Sequence, residues 1–194
     1  MPLDREVEIK IPVSHNEFYS VREMIKNSKT ASFIDKSTQI DHYYVPAHRN
    51  FVGVKYPFEW LRVGVRGGKT IVNYKHFYPE NEEKFTHCDE FSTEIENGEQ
   101  LTKIMLALNF KKIVTVEKTR EAYLYDNIFE VALDKVKDLG FFVEIEAKKD
   151  LGGVWATRYE ISALACKFML NPSKADLRGY PYLMMAQQGL IKRD

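Results

Sequence analysis

The sequence predicts an α+β fold: an eight-stranded antiparallel β-barrel with a polar, charged interior and helices packed outside. Three observations lead there. Strand-like runs outnumber helical ones and are joined by short turns, which makes the sheet antiparallel. Almost every such run alternates charged with apolar residues. Three amphipathic helical stretches carry apolar stripes that need a surface to cover.

The elements follow in order. "REVEIKIP", about 5–12, is a strand with Glu6, Glu8 and Lys10 on one face and Val7, Ile9 and Ile11 on the other. A helix follows at about 15–27, with Ser14 as N-cap and Glu17 three residues on, a capping-box pattern. The second strand is about 31–45 and ends at Pro46, before an irregular stretch at 47–59. Residues 60–77 form a hairpin around Gly67–Gly68, a two-residue turn signal. The polar segment 78–90 reads as a loop and 91–96 as a short strand. Asn97–Asn109 is a helix with apolar Leu101, Ile104, Met105 and Leu108. Three strands follow at about 111–126, 128–137 and 141–148, then a helix at about 153–170 and a short helix near the C-terminus.

No repeat, linker or low-complexity segment divides the 194 residues, so one domain, 1–194, is expected. Lys plus Arg equals Asp plus Glu at 28 each. Bulk charge therefore implies no nucleic-acid or membrane partner, and any basic site must be a local concentration. No stretch approaches a membrane span, and the N-terminal strand is charged rather than leader-like. Cys88 and Cys166 are far apart and in unlike contexts, which suits free thiols in a cytoplasmic protein. There is no CxxC or HExxH pattern for zinc.

The charged strand faces carry the functional information. Their bases are Lys10, Arg62, Arg66, Lys75, Lys118, Arg120 and Lys148. Their acids are Glu6, Glu8, Glu94, Glu96, Glu130, Asp134, Glu144 and Glu146. In one arrangement these faces meet solvent and the apolar faces form the core. In the other the apolar faces lie outward under the helices and the charges line a wet tunnel. Dry, such a tunnel would cost several kcal/mol per isolated ion, so its charges must neutralise each other or a ligand. Arg and Lys match phosphate oxygens, and grouped carboxylates match Mg²⁺ or Mn²⁺. Both sets on one surface point to a metal–triphosphate ligand.

The E-x-E-x-K at Glu6, Glu8 and Lys10 resembles the signature of the CYTH superfamily of class IV adenylyl cyclases, thiamine triphosphatases and inorganic or RNA triphosphatases. Supporting pieces occur in the family's order: "DHYY" at 41–44, "LRVGVR" at 61–66, "NYKHF" at 73–77, "EKTREAY" at 117–123, "ALDKVKDLGFFVEIE" at 132–146 and a terminal "YPYLM". The resemblance implies an eight-stranded antiparallel triphosphate tunnel. It implies divalent metal, Mg²⁺ or Mn²⁺, on Glu6, Glu8, Asp134, Glu144 and Glu146. It implies a triphosphate gripped by Lys10, Arg62, Arg66, Lys75, Lys118 and Arg120. A Lys–Tyr pair that activates water in the triphosphatase branch matches Lys75 and Tyr43, and Lys10, Tyr43 and Lys75 are the catalytic candidates. Where the family often has L-R-x-R, Gly64 stands in the second arginine's place and Arg66 is the next base on that face.

The "LDKVKDLGFFVEIE" run is most similar to the class IV adenylyl cyclase-like branch, which implies conversion of ATP to cyclic AMP and pyrophosphate. The alternative is hydrolysis of an inorganic or organic triphosphate, such as tripolyphosphate or thiamine triphosphate. The two reactions differ in whether a ribose hydroxyl or a water is held in line, about 3–3.5 Å from phosphorus. A non-catalytic polyphosphate- or nucleotide-binding module is the third reading. The resemblance to class IV cyclases points to a homodimer.

Overall fold

A computed structural model describes residues 4–191. Its strands are β1 (Arg5–Glu6), β2 (Glu8–Val13), β3 (Ala31–Val45), β4 (Glu59–Arg66), β5 (Lys69–Tyr78), β6 (His87–Ile95), β7 (Lys111–Tyr125), β8 (Phe129–Val136) and β9 (Gly140–Ala147). Its helices are α1 (His15–Lys26), α2 (Gly98–Ala107), α3 (Val154–Lys167) and α4 (Gly179–Gln187), with a 3-10 turn at Pro172–Lys174. The strands hydrogen-bond in the order β1-β6-β5-β4-β3-β7-β8-β9-β2. The first and last members of that order are consecutive in the chain and joined through Val7 alone.

The strand count is nine rather than eight. The expected first strand is interrupted at Val7, and its two pieces have different neighbours in the order. The second difference is at 87–90, expected as loop, where β6 already runs from His87. Its register sets His87 against Tyr78, Cys88 against Phe77 and Glu90 against Lys75. Cross-strand partners, rather than local propensity, make this polar segment a strand.

Tertiary contacts divide the chain into two compact units. The first holds residues up to 37 and 118–177. Its core joins Val7, Ile9 and Ile11, Val131 and Leu133 of β8, and Val143 and Ile145 of β9 to Phe18, Val21 and Ile25 of α1 and Ile161, Leu164 and Ala165 of α3. The apolar strand faces thus lie under helices, and the charged faces are on the other side. Helix α1 begins at the expected capping box. Ser14 Oγ accepts from the Glu17 N–H at 3.2 Å, and the Glu17 carboxylate accepts from the Ser14 N–H at 2.7 Å.

The second unit holds residues 38–117 and 178 onward. The same inversion is present. Val63, Leu61 and Val72 pack with Met105 and Leu101 of α2, Tyr44 and Phe110. The β4–β5 hairpin turns at Gly67 and Gly68, whose φ values of 57° and 81° are the left-handed geometry of a tight hairpin turn. Helix α4 buries Tyr180, Tyr182, Leu183, Met184 and Met185. The loop before β6 is anchored: Phe85 is buried against Phe77, and the Thr86 N–H donates to Tyr78 O at 2.7 Å.

Candidate functional site

The polar face of the first unit is a charge lattice built by register. Residues directly opposite in antiparallel strands share a face. Glu8 lies opposite Glu146, and Glu146 opposite Glu130. Lys10 lies opposite Glu144, and Arg120 opposite Asp134. Asp134 is fully buried and receives three charged donors' bonds: Arg120 Nε at 2.8 Å, Arg120 Nη2 at 2.6 Å and Lys118 Nζ at 3.1 Å. Burial alone would raise the Asp134 pKa, but the Arg120 and Lys118 charges outweigh it and lower it to about 2. Glu144 is held by Lys10 Nζ and by Arg120 Nη2, each at 2.9 Å. Lys10 also reaches Glu8, at 3.5 Å.

The Glu8–Glu146–Glu130 row is different. Like charges directly opposite repel, so such a row needs a cation. Lys148 supplies one, 2.8 Å from Glu146 Oε1 and 3.7 Å from Glu130 Oε2, on a half-exposed side chain. Burial works against its charge, but Glu146, Glu130 and Glu6 raise its pKa. Glu6 itself is half-buried in β1.

The second unit's polar face is led by arginines. Asp41, Tyr43, Arg62 and Arg66 share it with Asn73, Lys75 and Glu90. The buried Asp41 carboxylate accepts from Arg66 Nη2 at 3.3 Å and lies 3.5 Å from Arg62 Nη1. Glu90 holds Lys75 at 2.6 Å, lies 3.9 Å from Arg62 and accepts from Asn73. Burial opposes the Arg62 charge, yet Asp41, Tyr43 and Glu90 push its pKa up. Burial also raises the Tyr43 pKa, with Arg62 opposing, so the phenol stays protonated at neutral pH. Gly64 has a steric reason: a Cβ there would lie 2.1 Å from Asp41 Oδ1. The position where the family often carries an arginine is occupied by the Asp41 carboxylate.

The sequence-derived candidates therefore fall into two groups. Glu6, Glu8, Lys10, Lys118, Arg120, Asp134, Glu144 and Glu146 belong to the first unit; Tyr43, Arg62, Arg66 and Lys75 belong to the second. Among the described residues, no three or more His, Cys, Asp or Glu side chains stand in a metal-holding arrangement. Asp134 and Glu144 are drawn to arginine and lysine instead. The donor set still fits a divalent ion: it is all oxygen, as Mg²⁺ and Mn²⁺ require, and the Lys148 ammonium shows that the row accommodates a cation. Sequence reasoning assigned no role to Asp41 or Glu90, and it reads Trp60 as core packing with stacking on a base as the alternative. The signal for Asp41 was its shared parity with Tyr43 in "DHYY". His42 and His76 lie on the other face, His42 Nδ1 2.9 Å from Thr115 Oγ1. Both cysteines are free, Cys88 buried and Cys166 exposed. Among the described residues, no helix is long and apolar enough to cross a membrane.

Comparison with known proteins places this fold in one class, enzymes that are adenylyl cyclase-like or triphosphatases. The CYTH domain model matches residues 4–152, and the chain belongs to the CYTH family. Enzymes of the family depend in general on divalent metal. A Methanocaldococcus jannaschii protein, named provisionally as an adenylate cyclase, is 32% identical over 141 residues, 73% of this chain and 75% of that protein. A solved structure from Pyrococcus horikoshii OT3 superposes with a TM-score of 0.75 at 26% identity, covering 95% of this chain and 99% of its own. A Hippeastrum protein, provisionally named an adenylyl cyclase and described as having a dominant triphosphatase activity, superposes with a TM-score of 0.63 at 14% identity, covering 95% of each chain.

Proposed function

We propose that this chain is a divalent-metal-dependent enzyme acting on a triphosphate, most similar in action to class IV adenylyl cyclases, converting ATP to cyclic AMP and pyrophosphate. The observation that carries the reading is the division of charge. On the first unit's polar face, Glu8, Glu130, Asp134, Glu144 and Glu146 outnumber Lys10, Lys118, Arg120 and Lys148. On the second unit's, Arg62, Arg66, Lys69 and Lys75 outnumber Asp41, Glu90 and Glu94. An acid excess suits a metal; a base excess suits polyphosphate.

In this reading Glu6, Glu8 and Glu146 hold Mg²⁺ or Mn²⁺, with Asp134 and Glu144 beside them. When bound, the metal supplies Lewis-acid stabilisation of charge on the phosphoryl oxygens. Arg62 and Arg66 present planar forks to phosphate oxygens, and Lys10, Lys75, Lys118 and Arg120 add further positive donors. The carboxylates that pair these bases hold the forks in place before substrate arrives. Tyr43, protonated, is a hydrogen-bond donor or acceptor for the nucleophile rather than a general base at neutral pH. The relative's name supports the cyclase reading. The activity stated for the Hippeastrum protein supports the second reading, hydrolysis, in which Lys75 and Tyr43 orient water.

Product analysis decides. The protein is incubated with ATP, tripolyphosphate or thiamine triphosphate, each with Mg²⁺ or Mn²⁺. Cyclic AMP with pyrophosphate supports the cyclase reading, and orthophosphate supports hydrolysis. No product from any of the three overturns both. Glu8→Gln should abolish turnover, and full activity in that variant would overturn the metal assignment.

A further inference from the structure

Trp60 is a hydrophobic residue on the wrong face of its strand. In β4 it shares parity with Arg62 and Arg66, and it lies directly opposite Lys75. Arg62 in turn lies opposite Tyr43, whose ring meets the Trp60 ring edge-on with centroids 6.0 Å apart. The side chain is only 4% exposed, so a ligand atom reaches it only where a neighbouring side chain gives way. Its Nε1 is buried and has no hydrogen-bond partner among the described residues. An indole N–H can only donate, and a buried donor without an acceptor carries its full desolvation penalty.

The surroundings say what kind of acceptor is missing. Arg62 and Lys75 are cations and accept nothing. The nearby carboxylates do not fill the role: Asp41 Oδ2 serves Arg62 and Arg66, Asp41 Oδ1 makes no bond to the indole, and Glu90 serves Lys75 and Asn73. A phosphate oxygen is an acceptor and an anion, and it would satisfy the indole while meeting the adjacent cations. We propose that the Trp60 indole N–H is a phosphate-oxygen donor, a further substrate-binding group on the arginine-rich face. This rests on the triphosphate reading above and adds a neutral, pH-independent contact to a set otherwise made of cations.

The test uses the whole protein and tripolyphosphate without divalent metal. The chain has two tryptophans, and the other, Trp155 on α3, is 74% exposed. Proton–nitrogen NMR shows both indole resonances, and Trp155→Phe assigns them. On saturation with tripolyphosphate, followed by calorimetry on the same sample, the Trp60 indole proton should move downfield and exchange more slowly with water. The Trp155 resonance should stay. Trp60→Phe keeps an aromatic ring and removes the donor, and it should weaken tripolyphosphate binding about tenfold or more, while Trp155→Phe leaves it unchanged. An unmoved Trp60 resonance at saturation, or equal affinity in a folded Trp60→Phe, overturns the proposal and leaves the triphosphate reading standing. No calorimetric binding by the unaltered protein, with or without Mg²⁺, overturns the triphosphate reading and this proposal together. The resonance test needs no substitution at Trp60, so it decides even if that variant fails to fold.

Discussion

The two units present the same inverted sheet but neutralise it differently. In the first, the central carboxylate Asp134 is fully buried and bonded to two cations, of which Lys118 is itself only 3% exposed. In the second, the central carboxylate Asp41 is equally buried, but its partners Arg62 and Arg66 are partly open to solvent. The first arrangement is the tighter of the two and stands beside an acid row. The second keeps its guanidinium groups within reach of a ligand. Similar residues in similar strands are thus held to different degrees, and what separates them most is the burial of Lys118.

The largest expected effect tests that difference. Asp134→Asn leaves two buried cations without a counter-charge and should cost about 3–5 kcal/mol by urea denaturation. Asp41→Asn should cost less, about 1–3 kcal/mol, because water can solvate its arginines. The reverse order would break the comparison. Acid adds a second handle. The folded-state pKa of Asp134, about 2, lies below its ordinary 3.8, so its stabilisation is complete above about pH 4 and is lost as pH falls toward 2. Asp134→Asn should flatten the fall in stability across that window.

Next in size is ligand binding. Arg62→Met should weaken metal-free tripolyphosphate binding about 10- to 100-fold by calorimetry, with thermal stability changed far less than in Asp134→Asn. Gly64→Ala should destabilise by about 1–3 kcal/mol, since the new methyl meets the Asp41 carboxylate. If it is neutral, Asp41 is freer to move than its two arginine partners allow. The smallest effect concerns the acid row. Lys148→Met removes the ammonium shared by Glu146 and Glu130, and should tighten Mn²⁺ binding a few-fold. Weaker Mn²⁺ binding in that variant would mean the lysine shapes the row rather than competing for it.

Much of this was legible in the sequence, because parity survives without coordinates. The alternation in "REVEIKIP" and "LRVGVR" separates apolar from charged faces whatever the register, and the helices' apolar stripes say which face is covered. The capping box at Ser14 and the hairpin at Gly67–Gly68 are local and were readable for that reason. Pairings were not. That Asp134 serves Arg120 and Lys118, or that Glu144 serves Lys10, depends on register between strands far apart in the chain. Glu90 was hidden in a polar run that forms a strand only because Lys75 and its neighbours pair with it. Trp60 looked like core, and its burial agrees; only the register shows that it stands among the cations.

The central claim is that these charged faces serve a metal-dependent reaction of a triphosphate. Phosphorus NMR of ATP and tripolyphosphate incubated with the protein, first with Mg²⁺ or Mn²⁺ and then with a chelator, tests it most directly. The account predicts new phosphorus signals, from pyrophosphate or orthophosphate, that grow with metal and stop on chelation, and that are absent with Glu146→Gln. Unchanged spectra for both substrates with either metal, or turnover that continues in chelator, would contradict it.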